Sequence, residues 1–373
     1  MKSSTANGQI YMMTIFMFVS LFICTAKDIA AAKPLHWAFL IFLGATVFFR
    51  IGHIYLLPTV VIFAAFGIYS LFAKWPEYPV KNNRKWKQKW IKHPAEIVLY
   101  RSFVWIFKML PLPVLSYVGG KLLEFVGPMT KRQKVAIDNL AVIAPECNNP
   151  EFIKNMWNNW GRVFVEGIKY GTYKASHKKY ITYKNKELLL NSGQVLLAMP
   201  HYGYIGLMAM AFFGGGKRLA ATYKFPSNPL SNDIILENYG LGHVPEVSFI
   251  PTGNAFPLMR AVKNGDDINI NSDQRSGTGE LLSFIGRPAK TSTGLTQLAC
   301  KFNLPVLIAH VRRTHGAHHE IIFDEIVHMP KTGDSRADEL NGMQMVNDVM
   351  GRIIMQDPLE YLWVHRRWEP FNI

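Results

Sequence analysis

The fold of the chain after about residue 95 is decided by Val195-Leu-Leu-Ala-Met-Pro-His-Tyr-Gly-Tyr-Ile-Gly206. The first five residues are apolar and predict a buried strand, which ends at Pro200. His201 follows, where a strand of an open α/β sheet commonly passes into a loop, and catalytic groups gather at such strand ends. A lone histidine fits a structural role as well as a catalytic one, so the surrounding sequence must decide between them.

The pattern on both sides of this stretch alternates between strand-like and helical segments. Strand-like apolar runs cover 195–199, 219–223, 247–250, 268–271, 306–311 and 320–323, and helical patterns cover 206–213, 230–239, 255–263, 294–302 and 336–355. This alternation predicts an α/β domain over 96–373, with a central sheet flanked by helices. A longer amphipathic helix is expected over 151–173, with an apolar stripe that packs in the core: Phe152, Met156, Trp160, Phe164 and Ile168.

The first 73 residues predict an α-helical membrane region of two or three helices. Three apolar runs cover 10–26, 36–49 and 54–73. A helix needs roughly 20 mostly apolar residues to span a bilayer, which the third run meets and the first meets marginally. The first run could instead be a signal peptide, although a single basic residue, Lys2, precedes it.

Residues 74–95 form a basic linker after these runs. The segment contains Lys74, Lys81, Arg84, Lys85, Lys87, Lys89 and Lys92, interleaved with Trp75, Trp86 and Trp90. Basic residues directly after a span favour the cytoplasmic side, and they attract anionic lipid. The segment could equally be a retention signal alone. Its position argues against nucleic acid as the partner.

The composition favours an anionic partner and a reducing compartment. Lysine and arginine number 41 against 26 acidic residues, a formal charge of +15. Three distant cysteines predict no disulfide framework and no metal site. His315, His318, His319 and Glu320 could suggest a metal site, but a solvated hairpin tip is the preferred interpretation.

Several motifs carry a family resemblance, in order along the chain. They are Arg132-Gln-Lys-Val-Ala-Ile-Asp-Asn-Leu140, Trp160-Gly-Arg-Val-Phe-Val-Glu166, Met199-Pro-His-Tyr-Gly203, Tyr223-Lys-Phe-Pro-Ser-Asn-Pro229, Ser272-Asp-Gln274, Phe284-Ile-Gly-Arg-Pro288 and Pro358-Leu-Glu-Tyr-Leu-Trp-Val-His-Arg-Arg367. The chain from about 96 to 370 resembles the lipid A biosynthesis lauroyl/myristoyl acyltransferase family, within the lysophospholipid acyltransferase superfamily.

The resemblance implies a glycerolipid acyltransferase-like fold and a membrane-bound O-acyltransferase. It implies transfer of a fatty acyl group from acyl carrier protein, or another acyl donor, to a lipid A-type glycolipid or related lipid hydroxyl. It further implies an anionic glycolipid or phospholipid acceptor, the bacterial inner membrane, and a catalytic domain on the cytoplasmic face. Neither a cofactor nor a metal is expected.

The family's H-x4-D/E motif places a histidine base five residues before a carboxylate. The base position corresponds to His201, but the acid position corresponds to Gly206, which has no side chain. A carboxylate from elsewhere could serve, with Asp273 and Glu280 as candidates. Alternatively, His201 could act with a backbone carbonyl, or the chain could bind lipid without turnover.

The remaining candidate site residues follow from the same motifs. Tyr223, Lys224, Asn228, Arg260, Gln274 and Arg366 are the candidate substrate-binding residues. The family's Asp-Gln-Asp reads Asp273-Gln-Arg275 here, so a base replaces an acid. The run His365–Arg367 is compatible with anion binding or with structural salt bridges.

Two other functions remain open. The chain could be a catalytically inactive homologue that binds lipid or a protein partner, which Gly206 supports. The apolar runs before residue 74 could instead be the working part.

Overall fold

The computed structural model describes residues 93–253 and 255–368. The chain divides into two compact units, Met1–Phe103 with Ser227–Ser231, and Val104–Pro226 with Asn232–Ile373. The predicted membrane helices of 1–73 and most of the predicted linker, 74–92, lie outside the described residues. Within 93–253 and 255–368, none of the helices combines the length and apolarity needed to span a bilayer.

The helices and strands follow one another along the whole described chain. The helices are α1 (His93–Lys108), α2 (Leu112–Val126), α3 (Arg132–Ile143), α4 (Pro150–Glu166), α5 (Tyr170–Ala175), α6 (His177–Tyr180), α7 (Glu187–Leu190), α8 (Asn232–Glu237), α9 (Ala255–Lys263), α10 (Gly294–Phe302) and α11 (Ser335–Gln356). The strands are β1 (Ile181–Lys184), β2 (Leu196–Ala198), β3 (Leu219–Tyr223), β4 (Val247–Pro251), β5 (Asp267–Asn269), β6 (Glu280–Phe284), β7 (Arg287–Thr291), β8 (Val306–His315) and β9 (His318–Val327).

A seven-stranded sheet has the order β1-β9-β8-β2-β5-β3-β4. Its pairs are parallel except for the β8–β9 hairpin. Two apolar clusters fill the interior, and they contain alternate residues of β2, with Leu196 and Ala198 in one and Leu197 in the other. Because successive strand side chains point to opposite faces, both faces of β2 are covered. The prediction of a central sheet flanked by helices is confirmed.

The structure differs from the sequence-based prediction in several places. It contains strand β1 and the β6–β7 hairpin, which the apolar pattern does not predict. These strands bury few of their residues, so they lack the apolar runs that indicate a strand. The helix predicted over 151–173 ends at Glu166 and continues as a 3₁₀ turn and α5. Phe164, predicted in the core stripe, is 60% exposed, since it lies on the outer face of α4.

Three glycines allow α2 and α4 to pack closely. A Cβ on Gly161 would lie 2.2 Å from the carbonyl oxygen of Gly119, and a Cβ on Gly119 would lie 2.3 Å from Val165. Gly120 likewise abuts Asn158 and Arg162. Small residues at a helix crossing let the two backbones approach. This close contact fixes the orientation of α2 relative to α4.

A buried ionic cluster ties α4 to the β8–β9 hairpin. The two terminal guanidinium nitrogens of Arg313 donate to the fully buried carboxylate of Glu166, at 2.5 and 3.0 Å. His319 contacts the same carboxylate at 3.1 Å. Burial raises the pKa of Glu166, but the charges of Arg313 and His319 outweigh burial, so this carboxyl remains ionised. The sequence pattern favours a solvated hairpin tip for the histidines of this hairpin. That interpretation is wrong for His319, which is buried in this cluster, whereas His315 is exposed.

Candidate active site

The register of two neighbouring parallel strands brings His201 and Asp273 together. In the pairing of β2 with β5, Leu197 lies opposite Asn269. His201 follows Leu197 by the same number of residues as Asp273 follows Asn269, and both pairs are 72 residues apart. The chains therefore leave the sheet side by side at its carboxyl edge. At this edge of the sheet, β2 lies between β5 and β8, and the chain connections turn to opposite sides of the sheet. Binding and catalytic sites of open α/β sheets usually lie at such a position.

Asp273 makes two hydrogen bonds to His201. Its Oδ1 lies 2.7 Å from the ring Nδ1, and its Oδ2 accepts from the backbone N–H of His201 at 2.7 Å. The carboxylate is 1% exposed, whereas the histidine side chain is 23% exposed. The second bond prevents the carboxylate from turning away from the ring. The arrangement assigns the proton of the neutral ring to Nδ1 and leaves the lone pair on Nε2.

Gln274 lies on the other side of the same ring. Its amide nitrogen is 3.1 Å from Nε2 of His201 and donates to the lone pair there. Nε2 is the atom that would accept a substrate proton. Gln274 thus marks the position that a hydroxyl would occupy on approaching the base.

Charges around the pair shift both pKa values. Burial lowers the pKa of His201, whereas the charge of Asp273 and its hydrogen bond raise it. Together the raising effects are the larger, so the pKa lies above the ordinary value of histidine. For Asp273, burial raises the pKa, yet the charge and hydrogen bonds of His201 and the charge of Arg367 lower it overall. The carboxylate is consequently ionised across the pH range in which the imidazole titrates.

Arg367 is a fully buried cation behind Asp273. It donates to the carbonyl of Lys290 at 2.9 Å and to the hydroxyl of Thr291 at 2.7 Å, and its guanidinium lies 4.5 Å from the ring centre of Phe284. Burial lowers its pKa, which Asp273 and Tyr361 oppose. Of the two roles considered for Arg367, anion binding and a structural role, the structure fits the structural one, because no surface of its side chain is open to a ligand.

The residues between Asp357 and Arg367 brace the loop that carries His201. The backbone N–H of Leu362 donates to the carbonyl of His201 at 3.1 Å, and Gly203 N–H donates to the carbonyl of Glu360 at 3.0 Å. Tyr202 pairs with Tyr361 as an isolated bridge. The apolar run 361–364 forms a single bridge at Tyr361 followed by a turn. It holds the histidine in place.

Gly203 has two reasons to be glycine. Its φ is +58°, and a Cβ there would lie 2.1 Å from the carbonyl oxygen of Val311 and 2.9 Å from Oε2 of Glu360. Burial raises the pKa of this Glu360 carboxyl to about 7, so added bulk would press on a group that already lacks solvation.

Replacing Gly203 by alanine should destabilise the domain by about 3 kcal/mol, the sum of left-handed backbone strain and overpacking. Urea unfolding measures this. The matched control is Gly214→Ala, whose φ is +66° but whose Cβ would meet nothing within 4 Å. We expect the control to lose about 1 kcal/mol, from backbone strain alone. Equal losses in the two variants would contradict the close contact at Gly203.

Gly206 leaves no room for the family's acid. It is buried in the 3₁₀ helix Ile205–Ala211, and a Cβ there would lie 2.7 Å from the ring of Tyr204 and 2.9 Å from the carbonyl oxygen of Asn238. A carboxylate at 206 would displace packed atoms. The position of Asp273 makes such a side chain unnecessary for orienting the His201 ring.

The structure separates the other carboxylate candidate from the histidine. Glu280 begins β6, is 45% exposed and pairs with Arg336. It is absent from the groups that bond to His201 or shift its pKa.

The substrate-binding candidates have the following positions and partners. Tyr223 ends β3 and donates its hydroxyl to Asn232 at 3.0 Å, and Lys224 follows it, exposed. Arg260 and Arg366 are exposed, the former at the end of α9. Asn228 belongs to the unit that contains Met1–Phe103, where its amide donates to the His93 carbonyl and to Glu96. Of these candidates, the structure brings Gln274 to the histidine.

Two residues near His201 are not among the catalytic and substrate-binding candidates, although His365 was considered for anion binding or salt bridges as part of the run His365–Arg367. His365 is half-buried, and its Nδ1 has no hydrogen-bond partner among the described residues. Burial and the charge of His201 lower the pKa of His365, which places it in the field of the base. Glu360 is the second. Both residues belong to Glu360-Tyr-Leu-Trp-Val-His365, part of the closing motif that carries the family resemblance. The motif could have pointed to them, but spacing alone does not indicate that this segment folds against β2.

The described residues contain no cluster of histidine, cysteine and acidic side chains suited to a metal ion. Cys147 and Cys300 are free thiols.

Comparison with known proteins identifies a family for the chain. The model of a family described as bacterial lipid A biosynthesis acyltransferase matches residues 84–369. The chain is 22% identical over 280 residues to a lipid A biosynthesis palmitoleoyltransferase of Escherichia coli (strain K12), covering 71% of this chain and 88% of that protein. A lipid A biosynthesis acyltransferase of Shigella flexneri matches with the same identity and coverage. The chain described here belongs to the bacterial lipid A biosynthesis acyltransferase family.

Proposed function

We propose that the protein is an O-acyltransferase in which His201 is the general base and Asp273 replaces the acid that the family places at position 206. The observation that carries the proposal is the pair of 2.7 Å hydrogen bonds that Asp273 accepts from the ring Nδ1–H and the backbone N–H of His201. A carboxylate on Nδ1 sets the tautomer and steadies the imidazolium that forms during proton transfer.

The proposed reaction needs a hydroxyl and an acyl thioester. Nε2 of His201 accepts the hydroxyl proton as the oxygen attacks the thioester carbonyl, forming the new C–O bond. Collapse of the tetrahedral intermediate breaks the C–S bond. The leaving thiolate recovers the proton from the imidazolium, so the base returns to its starting form. Asp273 remains ionised throughout.

We propose a lipid A-type glycolipid as the acceptor and acyl carrier protein as the donor. Family membership supports the acceptor class. The excess positive charge of +15 suits both an acidic carrier protein and a phosphorylated lipid. The same considerations support the cytoplasmic face of the bacterial inner membrane as the place of reaction.

The test is acyl transfer by the purified full chain, compared with His201→Ala. We expect transfer from an acyl carrier protein thioester to a lipid A precursor, and its loss in the alanine variant. Glu280→Ala is the matched control and should retain the rate, since Glu280 pairs with Arg336. An inactive parent across several donors and acceptors would instead favour a lipid-binding homologue.

The pH dependence of this reaction should reflect the raised pKa of His201. The base must be neutral, so kcat/KM rises as the pH rises through the pKa of the free enzyme. Since Asp273 raises that pKa, the acid limb should have its midpoint above about 6.5, the ordinary value. A pH–rate profile with a saturating donor measures it. A midpoint below the ordinary value would contradict the proposed ion pair.

A further inference from the structure

Among the described residues, α1, α2 and the turns that follow them expose a group of large apolar side chains. We call this surface the α1–α2 face. It is formed by Trp105, Ile106, Met109, Tyr117, Phe125 and Met129, each more than half exposed. Soluble surfaces rarely gather so many large apolar side chains, so a patch of this kind marks an interaction surface.

The underlying helix is amphipathic and firmly attached. The inner side of α2 buries Leu112, Leu115 and the two glycines that contact α4. Its outer side exposes Tyr117, Phe125 and, between them, Leu122. The apolar residues therefore point outward because the opposite side of α2 is occupied by close packing, and they cannot turn inward without separating α2 from α4.

The charges on this surface select its partner. Three exposed cations accompany the face, namely Lys108, Lys131 and Arg132, and a fourth, Lys121, pairs with an acid. The one acid in the interval, Glu124, is neutralised by Lys121 at 3.0 Å and Lys154 at 3.5 Å. A second copy of the chain would bring cations against cations, whereas an anionic lipid surface attracts them.

We propose that the α1–α2 face inserts into the headgroup layer of an anionic phospholipid membrane and delivers the lipid acceptor to His201. An amphipathic helix with aromatic side chains on one side and lysines around them lies in such an interface. This inference rests on the proposed function only for the identity of the delivered lipid. Contact with the membrane stands without it.

The fold joins this surface to the candidate site. Met129 lies three residues before Arg132, which begins α3. A guanidinium nitrogen of Arg132 lies 3.5 Å from the carbonyl of Val364. Asn139, further along α3, donates to the carbonyls of Trp363 and His365 at 2.7 and 2.8 Å. The turn that braces the His201 loop therefore packs against the helix that starts at the end of the face.

The first experiment measures membrane contact directly in the full chain. Cys24, Cys147 and Cys300 are replaced by serine, and a fluorescent label is attached in turn to Phe125→Cys and Phe256→Cys. Phe256 is the matched control, because it is 89% exposed but lies on α9. In vesicles of phosphatidylcholine and phosphatidylglycerol carrying nitroxide-labelled acyl chains, we expect quenching at 125 and none at 256.

Three results would overturn the proposal. Equal quenching at both positions would mean non-specific adsorption. Shielding of residue 125 from aqueous iodide without vesicles would mean that another part of the chain covers the face. Concentration-dependent shielding without lipid would mean that a second copy covers it. Because this readout needs no acyl transfer, it separates failure of the docking surface from failure of the proposed function.

The second experiment tests delivery of the acceptor. Phe125→Glu should lower transfer to an acceptor embedded in vesicles by about tenfold, since burial of one aromatic side chain is lost. Transfer to a detergent-dispersed acceptor should be unchanged. Phe256→Glu should alter neither rate. Equal loss in both assays by Phe125→Glu would overturn delivery through this face.

Discussion

Asp273→Asn is expected to lower kcat for acyl transfer by about 10⁴-fold, the loss seen when the group that orients a catalytic histidine is replaced by its amide. The amide nitrogen cannot accept a hydrogen bond from Nδ1–H. The ring would therefore no longer be held in the tautomer with its proton on Nδ1, and the negative charge that stabilises the imidazolium would be absent. Single-turnover kinetics with an acyl thioester measures the chemical step. Glu280→Gln is the matched control and should retain kcat, because its partner is Arg336.

The pH profile of the same variant distinguishes orientation from damage to the fold. Asp273 raises the pKa of His201 against the effect of burial. Without the carboxylate, burial remains, so the residual activity should have its acid limb at lower pH than in the parent. A variant that loses less than about tenfold, or whose acid limb does not move, would show that another group serves the base.

Gly206→Glu, which restores the family's acid in sequence, is expected to destabilise the protein by about 3 kcal/mol or more without raising its activity. A Cβ at 206 would lie 2.7 Å from Tyr204 and 2.9 Å from a backbone carbonyl, and the carboxylate would follow it into a buried region. Overpacking alone typically costs about 1–3 kcal/mol, and burying an unpaired charge adds to this. Urea unfolding and steady-state transfer rates measure the two effects.

Gly193→Glu is the matched control for this change. Gly193 is exposed, its φ is outside the left-handed region, and a Cβ there would meet nothing within 4 Å. We expect less than about 0.5 kcal/mol of change, as for ordinary surface substitutions. A Gly206→Glu protein that is as stable as the parent and faster would mean that the family arrangement is accessible and that Asp273 is not the working acid.

Several features of the fold could be predicted from the sequence because they depend on local pattern. The apolar run before Pro200 is a buried strand, and the runs at β3, β4 and β8 are strands of the same sheet. Helices α9 and α10 have the predicted bounds. In these segments, the period of buried residues follows directly from the geometry of a strand or helix against a core.

Local pattern fails where exposure or close contact decides the structure. The β6–β7 hairpin exposes much of its length, so its apolar signal is weak. Phe164 matches the helical stripe but lies outward, because its neighbours Val165 and Gly161 meet α2. Such choices depend on which helix is opposite, and a single segment contains no information about its partner.

The sequence by itself determined that a histidine follows the central strand and that position 206 offers no acid. It left open whether Asp273 or Glu280 replaces that acid, whether a backbone carbonyl holds the histidine, or whether the chain binds lipid without turnover. Both carboxylates were expected near the end of a sheet strand, so pattern could not choose between them. The tertiary structure separates the two through the parallel register of β2 and β5, which carries Asp273 to the ring of His201, while Glu280 pairs with Arg336. Register is a relation between residues far apart in the chain, so it exists only once the sheet has formed.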